Sequence, residues 1–273
     1  MPTDLSLDRL RETIGQMPDF LYKYRRVEGK DLEFLERMLL GGEIYFADPA
    51  TFNDPFDLAI DPSYDAPPEV QEDYWYGDLL DNNPQLTKEQ CRIAAAEVVG
   101  RAARPGAIEK LLGSHRATVQ RQSVFCACAN PTSTLMWAYY AEGHQGVAVR
   151  LNLDVEAIPL MSPLQLWPVD YTPEKPQPNF YTADLNTYLQ AVFSTKSHEW
   201  QHEREWRFLR ERPPAVVALP LRMIDGVVFG LRTTDKTKAT IREWARRRAE
   251  PFELGQIVQQ SGTFNLLIEP AGA

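Results

Sequence analysis

Apolar positions along the chain alternate between a period near two and a period near 3.6, which predicts strands and helices in mixed order. LSLDRLRETI, residues 5–14, spaces Leu5, Leu7, Leu10 and Ile14 as a short amphipathic helix does. FLYKYRR, 20–26, alternates as a strand. In DLEFLERMLL, Leu32, Leu35, Met38 and Leu39 recur at helical spacing, and Gly41-Gly42 supplies the stop. EIYFA is then a short strand. DPATFNDPFD, with its prolines and run of Asp and Asn, is a rigid loop.

Residues 61–86 are acidic and aromatic with no clear period, as in a lid or surface excursion. LTKEQCRIAAAEVVGRAA predicts a helix ending near Pro105, and AIEKLLGSHRATVQ another, so 61–120 is expected to be a helical insertion or lid. SVFCACA reads as a strand, 132–142 (TSTLMWAYYAE) as a helix ending at Gly143, and QGVAVRLNL as a buried strand. LQLWPVDY follows as a strand and DLNTYLQAVFSTKS as a helix with Leu185, Leu189, Val192 and Phe193 on one side. EREWRFLR and AVVALPL are strands, and IDGVVFG, a 233–249 helix, GQIVQQ and TFNLLIEP form a closing unit. No repeat and no Gly/Ser linker divides the chain. The expected fold class is α+β: a single domain over 1–273, with a mixed, mainly antiparallel sheet and flanking helices.

Composition narrows the partners. With 44% hydrophobic and 25% charged residues, the chain has the makeup of a soluble globular protein. No apolar run approaches the roughly 20 residues that span a bilayer, and the acidic start MPTDLSLDRLRETIG does not resemble a signal peptide. Three cysteines, with Cys126 and Cys128 too close for an easy bridge, suit a reducing cytoplasm. A net charge of −9 disfavours broad binding to duplex nucleic acid. The basic run 236–248 is expected to be the solvated face of a helix.

HEWQHEREWR, 198–207, contains H-E-x-x-H, which holds zinc when both imidazoles lie on one face of an α-helix. Helical spacing fades near Lys196-Ser197, however, and Trp200, His202, Arg204, Trp206 and Phe208 alternate as in a strand. No further ligand follows at zincin spacing, so no metal is expected. On a strand over 202–209, Glu203, Glu205 and Arg207 share one face. Two carboxylates so placed repel each other and require a cation, a donor or a functional reason to coexist.

LYKYR (21–25), IYFADPATFNDPFD (44–57), LMWAYYAEGHQGVAVRL (135–151) and KSHEWQHEREWRF (196–208) resemble, in this order, the bacterial family catalogued as domain of unknown function 2971. That family carries no settled activity. The order of residues is also similar to the ADP-ribosyltransferase-like fold, in which an early strand holds NAD, an aromatic on a second strand lies near the nicotinamide, and a late strand carries a Glu-x-Glu pair. This second resemblance implies that NAD is a substrate and that Glu205 is the catalytic carboxylate, with Glu203 activating an acceptor. Lys23 and Arg25 would hold pyrophosphate, beside Tyr24, and Tyr45, Phe46 or Trp206 would stack on a ring. The implied function is an ADP-ribosyltransferase or NAD glycohydrolase, as in bacterial toxins and phage-defence effectors. Its partners would be an NAD-like small molecule and an unidentified macromolecular acceptor. No His-Gly or Arg-Gly signature follows the first strand, and Thr132-Ser133-Thr134 reads as a helix cap.

Two alternatives remain beside that reading. One is a non-catalytic module binding a nucleotide or partner through Tyr24–Arg25, Asn53–Asp54 and Glu203–Arg207. The other is a metal-dependent hydrolase using His198, His202 and an Asp. Asn53 and Asp54 could contact a ribose or satisfy their own backbone in Asx turns, with Phe52 and Phe56 anchoring the loop.

Overall fold

The computed structural model describes residues 18–153, 165–210 and 213–272; the helix expected over 5–14 lies outside them. In chain order the elements are β1 (Phe20–Arg25), α1 (Lys30–Gly41), β2 (Glu43–Phe46), α2 (Pro68–Asn82), α3 (Lys88–Ala102), α4 (Ala107–Gln120), β3 (Ser123–Cys128), α5 (Thr134–Tyr140), β4 (Val147–Asn152), β5 (Gln165–Pro168) and β6 (Asp170–Thr172). There follow α6 (Leu185–Ser194), β7 (Thr195–Ser197), β8 (Glu205–Arg210), β9 (Ala215–Ala218), β10 (Ile224–Phe229), α7 (Asp235–Arg247), β11 (Glu253–Gln259) and β12 (Leu266–Pro270). As far as they are described, 8–48, 122–169 and 198–273 form a larger compact unit, and 49–121 with 170–197 a smaller one. The chain passes between them at several points, so no linker marks the division in the sequence.

The larger unit is built on an eight-stranded sheet of order β12-β11-β10-β4-β1-β3-β8-β5. Only β10 and β11 run parallel in it; the mixed, mainly antiparallel α+β architecture is the one expected. Alternation explains its two cores. Leu21, Val147, Val149, Leu151, Val227 and Phe229 turn to one face and pack with Leu35, Met38 and Leu39 of α1 and Ile241 and Trp244 of α7. Tyr22, Tyr24, Cys128, Ala148 and Val228 turn to the other and pack with Met136 and Trp137 of α5. The basic run falls on α7 and its C-cap: Lys236, Arg246 and Arg247 are exposed, as expected of a solvated face opposite Ile241 and Trp244, but Arg248 is buried and donates to the Ile224 carbonyl at 2.6 Å.

The Gly-Gly stop works through Gly42, which caps α1 in the left-handed region at φ 70°. A Cβ there would stand 2.3 Å from the Leu219 carbonyl oxygen, a backbone atom that cannot swing aside. Gly42→Ala is expected to destabilise the protein by at least about 2 kcal/mol, combining conformational strain with that clash. A urea midpoint unchanged from the parent protein would refute this.

In the smaller unit α2, α3, α4 and α6 accompany the parallel pair β6–β7. The apparently aperiodic 61–86 contains α2. No residue of that helix is fully buried. Its order comes instead from Tyr74 and Trp75 packing on Phe180 and Tyr181, a contact between distant segments that local periodicity cannot reveal. The single strand expected over LQLWPVDY divides at Val169, whose N–H donates to the Glu205 carbonyl at 2.9 Å.

Candidate functional site

The chain is not extended from Trp200, as the alternation there suggested: His198–Glu203 form a 3-10 helix. At three residues per turn, positions i and i+4 point about 120° apart, so His198 and His202 do not share a face as an α-helical zinc motif requires. His202 instead contacts the Trp200 and Tyr139 rings, and its Nδ1 lies 3.2 Å from the Glu199 carbonyl. Among the described residues no group of three or more His, Cys, Asp or Glu side chains is placed to hold a metal ion.

The extended chain begins at Glu205, two residues into the expected strand EREWRFLR. Arg204 takes φ 41°, a left-handed conformation that costs a non-glycine residue about 1–3 kcal/mol, and turns the chain into β8. That turn is secured by the Ala129 N–H, which donates to the Arg204 carbonyl at 2.9 Å. From Glu205 the expected parity holds. Trp206 and Phe208 enter the core, which leaves Glu205 and Arg207 on the other face.

Three buried charges follow. Arg207 is 0% exposed and forks onto Glu205, Nε to Oε1 at 2.9 Å and a terminal nitrogen to Oε2 at 3.3 Å. The Cys126 thiol, opposite Arg207 in the sheet, also donates to Glu205. Glu203, 3% exposed, accepts from the Tyr140 hydroxyl at 2.5 Å. Both carboxylates raise the Cys128 thiol's pKa, although burial is the larger cause of its rise to about 12. Burial likewise pushes the Cys126 thiol well up, which leaves both sulfurs protonated and inert as nucleophiles.

Lys23 reaches this cluster through a split in the sheet. Strands β1 and β3 pair only at Tyr22 and Cys128, while Ala47, just past β2, takes the Val124 position of β3 with two 2.9 Å hydrogen bonds. The Lys23 ammonium fills part of the gap, donating to the Cys126 carbonyl at 2.6 Å and standing 4.9 Å from the Phe125 ring centre. Burial, then Arg25, lowers its pKa to about 8, partly offset by Cys126, Glu205 and Glu203. Because that value lies below the ordinary 10.5, the unfolded chain binds more protons between the two, and the Lys23 contribution becomes more favourable as pH rises across that window. Stability relative to Lys23→Met is therefore expected to increase from pH 8 to pH 10.5 in urea titrations; a pH-independent difference would contradict this.

The other residues marked in the sequence separate. Arg25 lies on β1, with burial lowering its pKa and Asp31 opposing the fall. Tyr24 is buried, donates to the Asn130 carbonyl at 2.6 Å and packs edge-on against Trp137 at 5.0 Å. Phe46 lies in the core, 6.0 Å from Phe125. Neither ring is open to a ligand. Tyr45 is 50% exposed on β2. Asn53 and Asp54 belong to the smaller unit, where Asp54 accepts from the Phe56 N–H at 2.9 Å in an Asx turn. Phe56 is 71% exposed and does not anchor that loop. Buried Asp57 pairs with Lys196 at 3.4 Å. Tyr140 and Cys126 were not singled out as site residues by the sequence.

No curated protein and no solved structure matches this chain. The resemblance to the domain-of-unknown-function family is borne out over residues 136–208, the stretch that carries Tyr140, Glu203, Glu205 and Arg207, which matches the family model described as Protein of unknown function (DUF2971).

Proposed function

We propose that the protein consumes NAD, by ADP-ribosyl transfer or hydrolysis, with Glu205 as the carboxylate facing the reacting ribose. The observation that carries this reading is the fixed, buried Glu205, held by Arg207 with Glu203 close by and the Lys23 ammonium within electrostatic reach. Cleavage of the nicotinamide–ribose bond develops positive charge on the sugar, and a carboxylate held rigidly in a poorly solvated site stabilises that charge without reorganising. Glu203, oriented by Tyr140, is the base for an acceptor or water. Lys23 is the cation for the pyrophosphate, and Tyr45, exposed on β2, the ring for the nicotinamide. Arg25, near enough to Lys23 to lower its pKa, stands beside it for the same anion, and Tyr24 and Phe46 serve the core.

One observation favours a second reading, a non-catalytic nucleotide-binding module. Both Glu205 oxygens are already engaged by Arg207, which neutralises much of the charge that catalysis would use. Incubation with NAD and chromatography of the products separates the two. Released nicotinamide supports the enzyme; saturable binding without product supports the module; no binding refutes both.

A further inference from the structure

The smaller unit holds a surface cavity of about 550 Å³ between α2, α3, the loop after α3 and the start of α4. Its lining divides by chemistry. Trp75 of α2 and Tyr181 supply aromatic surface, while Arg101, Arg104 and Lys110 supply three cations. Arg101 is shared with Glu97 at 3.7 Å, but among the described residues Arg104 and Lys110 make no ion pair. In a chain of net charge −9 this is a local excess of positive charge.

Two further features act in the same direction. Helix α4 opens at Gly106, in the left-handed region at φ 77°, and no side chain caps its first turn. The positive end of a 14-residue helix thus meets the cationic side of the cavity. The Trp75 indole nitrogen is buried yet makes no well-formed hydrogen bond, its nitrogen interacting only with the Tyr181 phenol. That interaction ties Trp75 to Tyr181 and holds the two rings together as the aromatic wall of the cavity. The acidic residue of the first turn, Glu109, does not line the cavity.

We infer that this cavity binds a nucleoside monophosphate or diphosphate, with its base against Trp75 and Tyr181 and its phosphate between Arg104, Lys110 and the start of α4. A volume in the small-molecule range suits one nucleotide rather than an extended chain. An aromatic wall and a cationic wall together match a ring joined to an anion, whereas neither free phosphate nor a neutral nucleoside uses both. This site lies wholly within the smaller unit and does not depend on the proposed NAD chemistry.

Calorimetric titration of the full chain with AMP, adenosine and inorganic phosphate tests it. AMP is expected to bind saturably, at least about tenfold more tightly than either fragment, with an affinity that falls as salt rises. Arg104→Ala with Lys110→Ala, both at exposed positions, is expected to weaken AMP binding about tenfold or more. Glu205→Gln should leave it unchanged, which separates this site from the proposed NAD site. AMP should also quench tryptophan fluorescence in the parent protein and not in Trp75→Phe. Absence of saturable AMP binding up to about 1 mM, equal affinity for adenosine or phosphate, or full AMP affinity in the Arg104/Lys110 double variant overturns the inference.

Discussion

Glu205→Gln is expected to lower the rate of nicotinamide release from NAD by about 10²–10³-fold or more, the scale of losing one preorganised electrostatic group at a reacting centre. Glutamine keeps the shape and leaves an oxygen to accept from Arg207, but removes the negative charge that the proposed chemistry sets against the sugar. NAD binding, followed by calorimetry, should change far less than turnover, because the charge matters most when the oxocarbenium-like state forms. The variant will also be less stable, since Arg207 loses a formal counter-charge at a fully buried position. Rates must therefore be compared at a temperature where circular dichroism shows both proteins folded. Glu203→Gln provides the internal contrast. If Glu203 only activates an acceptor, hydrolysis of NAD should survive within about tenfold while transfer falls further. Full turnover in folded Glu205→Gln would remove Glu205 from the chemistry.

The sequence disclosed the parts of this molecule that depend on local pattern. The stop at Gly41-Gly42, the Ser133 cap of α5 and the inward faces of β1, β4 and β10 all follow from short-range spacing. The Glu205–Arg207 pair was also legible, because parity along β8 fixes it. The hidden features were set by long-range packing. The 3-10 helix at 198–203 overrides an apparent alternation, and Glu203 still reaches the buried cluster because Arg204 accepts a left-handed conformation. Arg25 and Tyr24 looked like ligand groups because the resemblance to the ADP-ribosyltransferase-like fold sets an early-strand residue against NAD. Tyr24 instead spends its hydroxyl on the Asn130 carbonyl and its ring on Trp137. Tyr140 lies 63 residues from Glu203 in sequence, and nothing local ties them together.

Arg207 is expected to be the most stability-critical polar residue of the site. Its guanidinium is fully buried, and removing it as Arg207→Met would leave Glu205 buried and charged without its two-point counter-ion, at a cost of about 3–5 kcal/mol. Arg207→Lys should recover only part of this, because an ammonium cannot make the two-point contact of the fork. Replacing both partners, as Glu205→Leu with Arg207→Met, should cost markedly less than the two single changes summed, since no orphaned charge remains. A pH signature separates charge from simple packing loss. In Arg207→Met the buried Glu205 carboxyl, having lost the fork, should bind a proton more readily folded than unfolded. Its folded pKa would then lie above the unfolded one, so the stability deficit narrows as pH falls through that folded pKa and is widest at neutral pH. A deficit that stays constant on acidification, or additive losses in the double variant, would mean that Arg207 acts by volume alone, and that Glu205 owes its fixed position to something other than this fork.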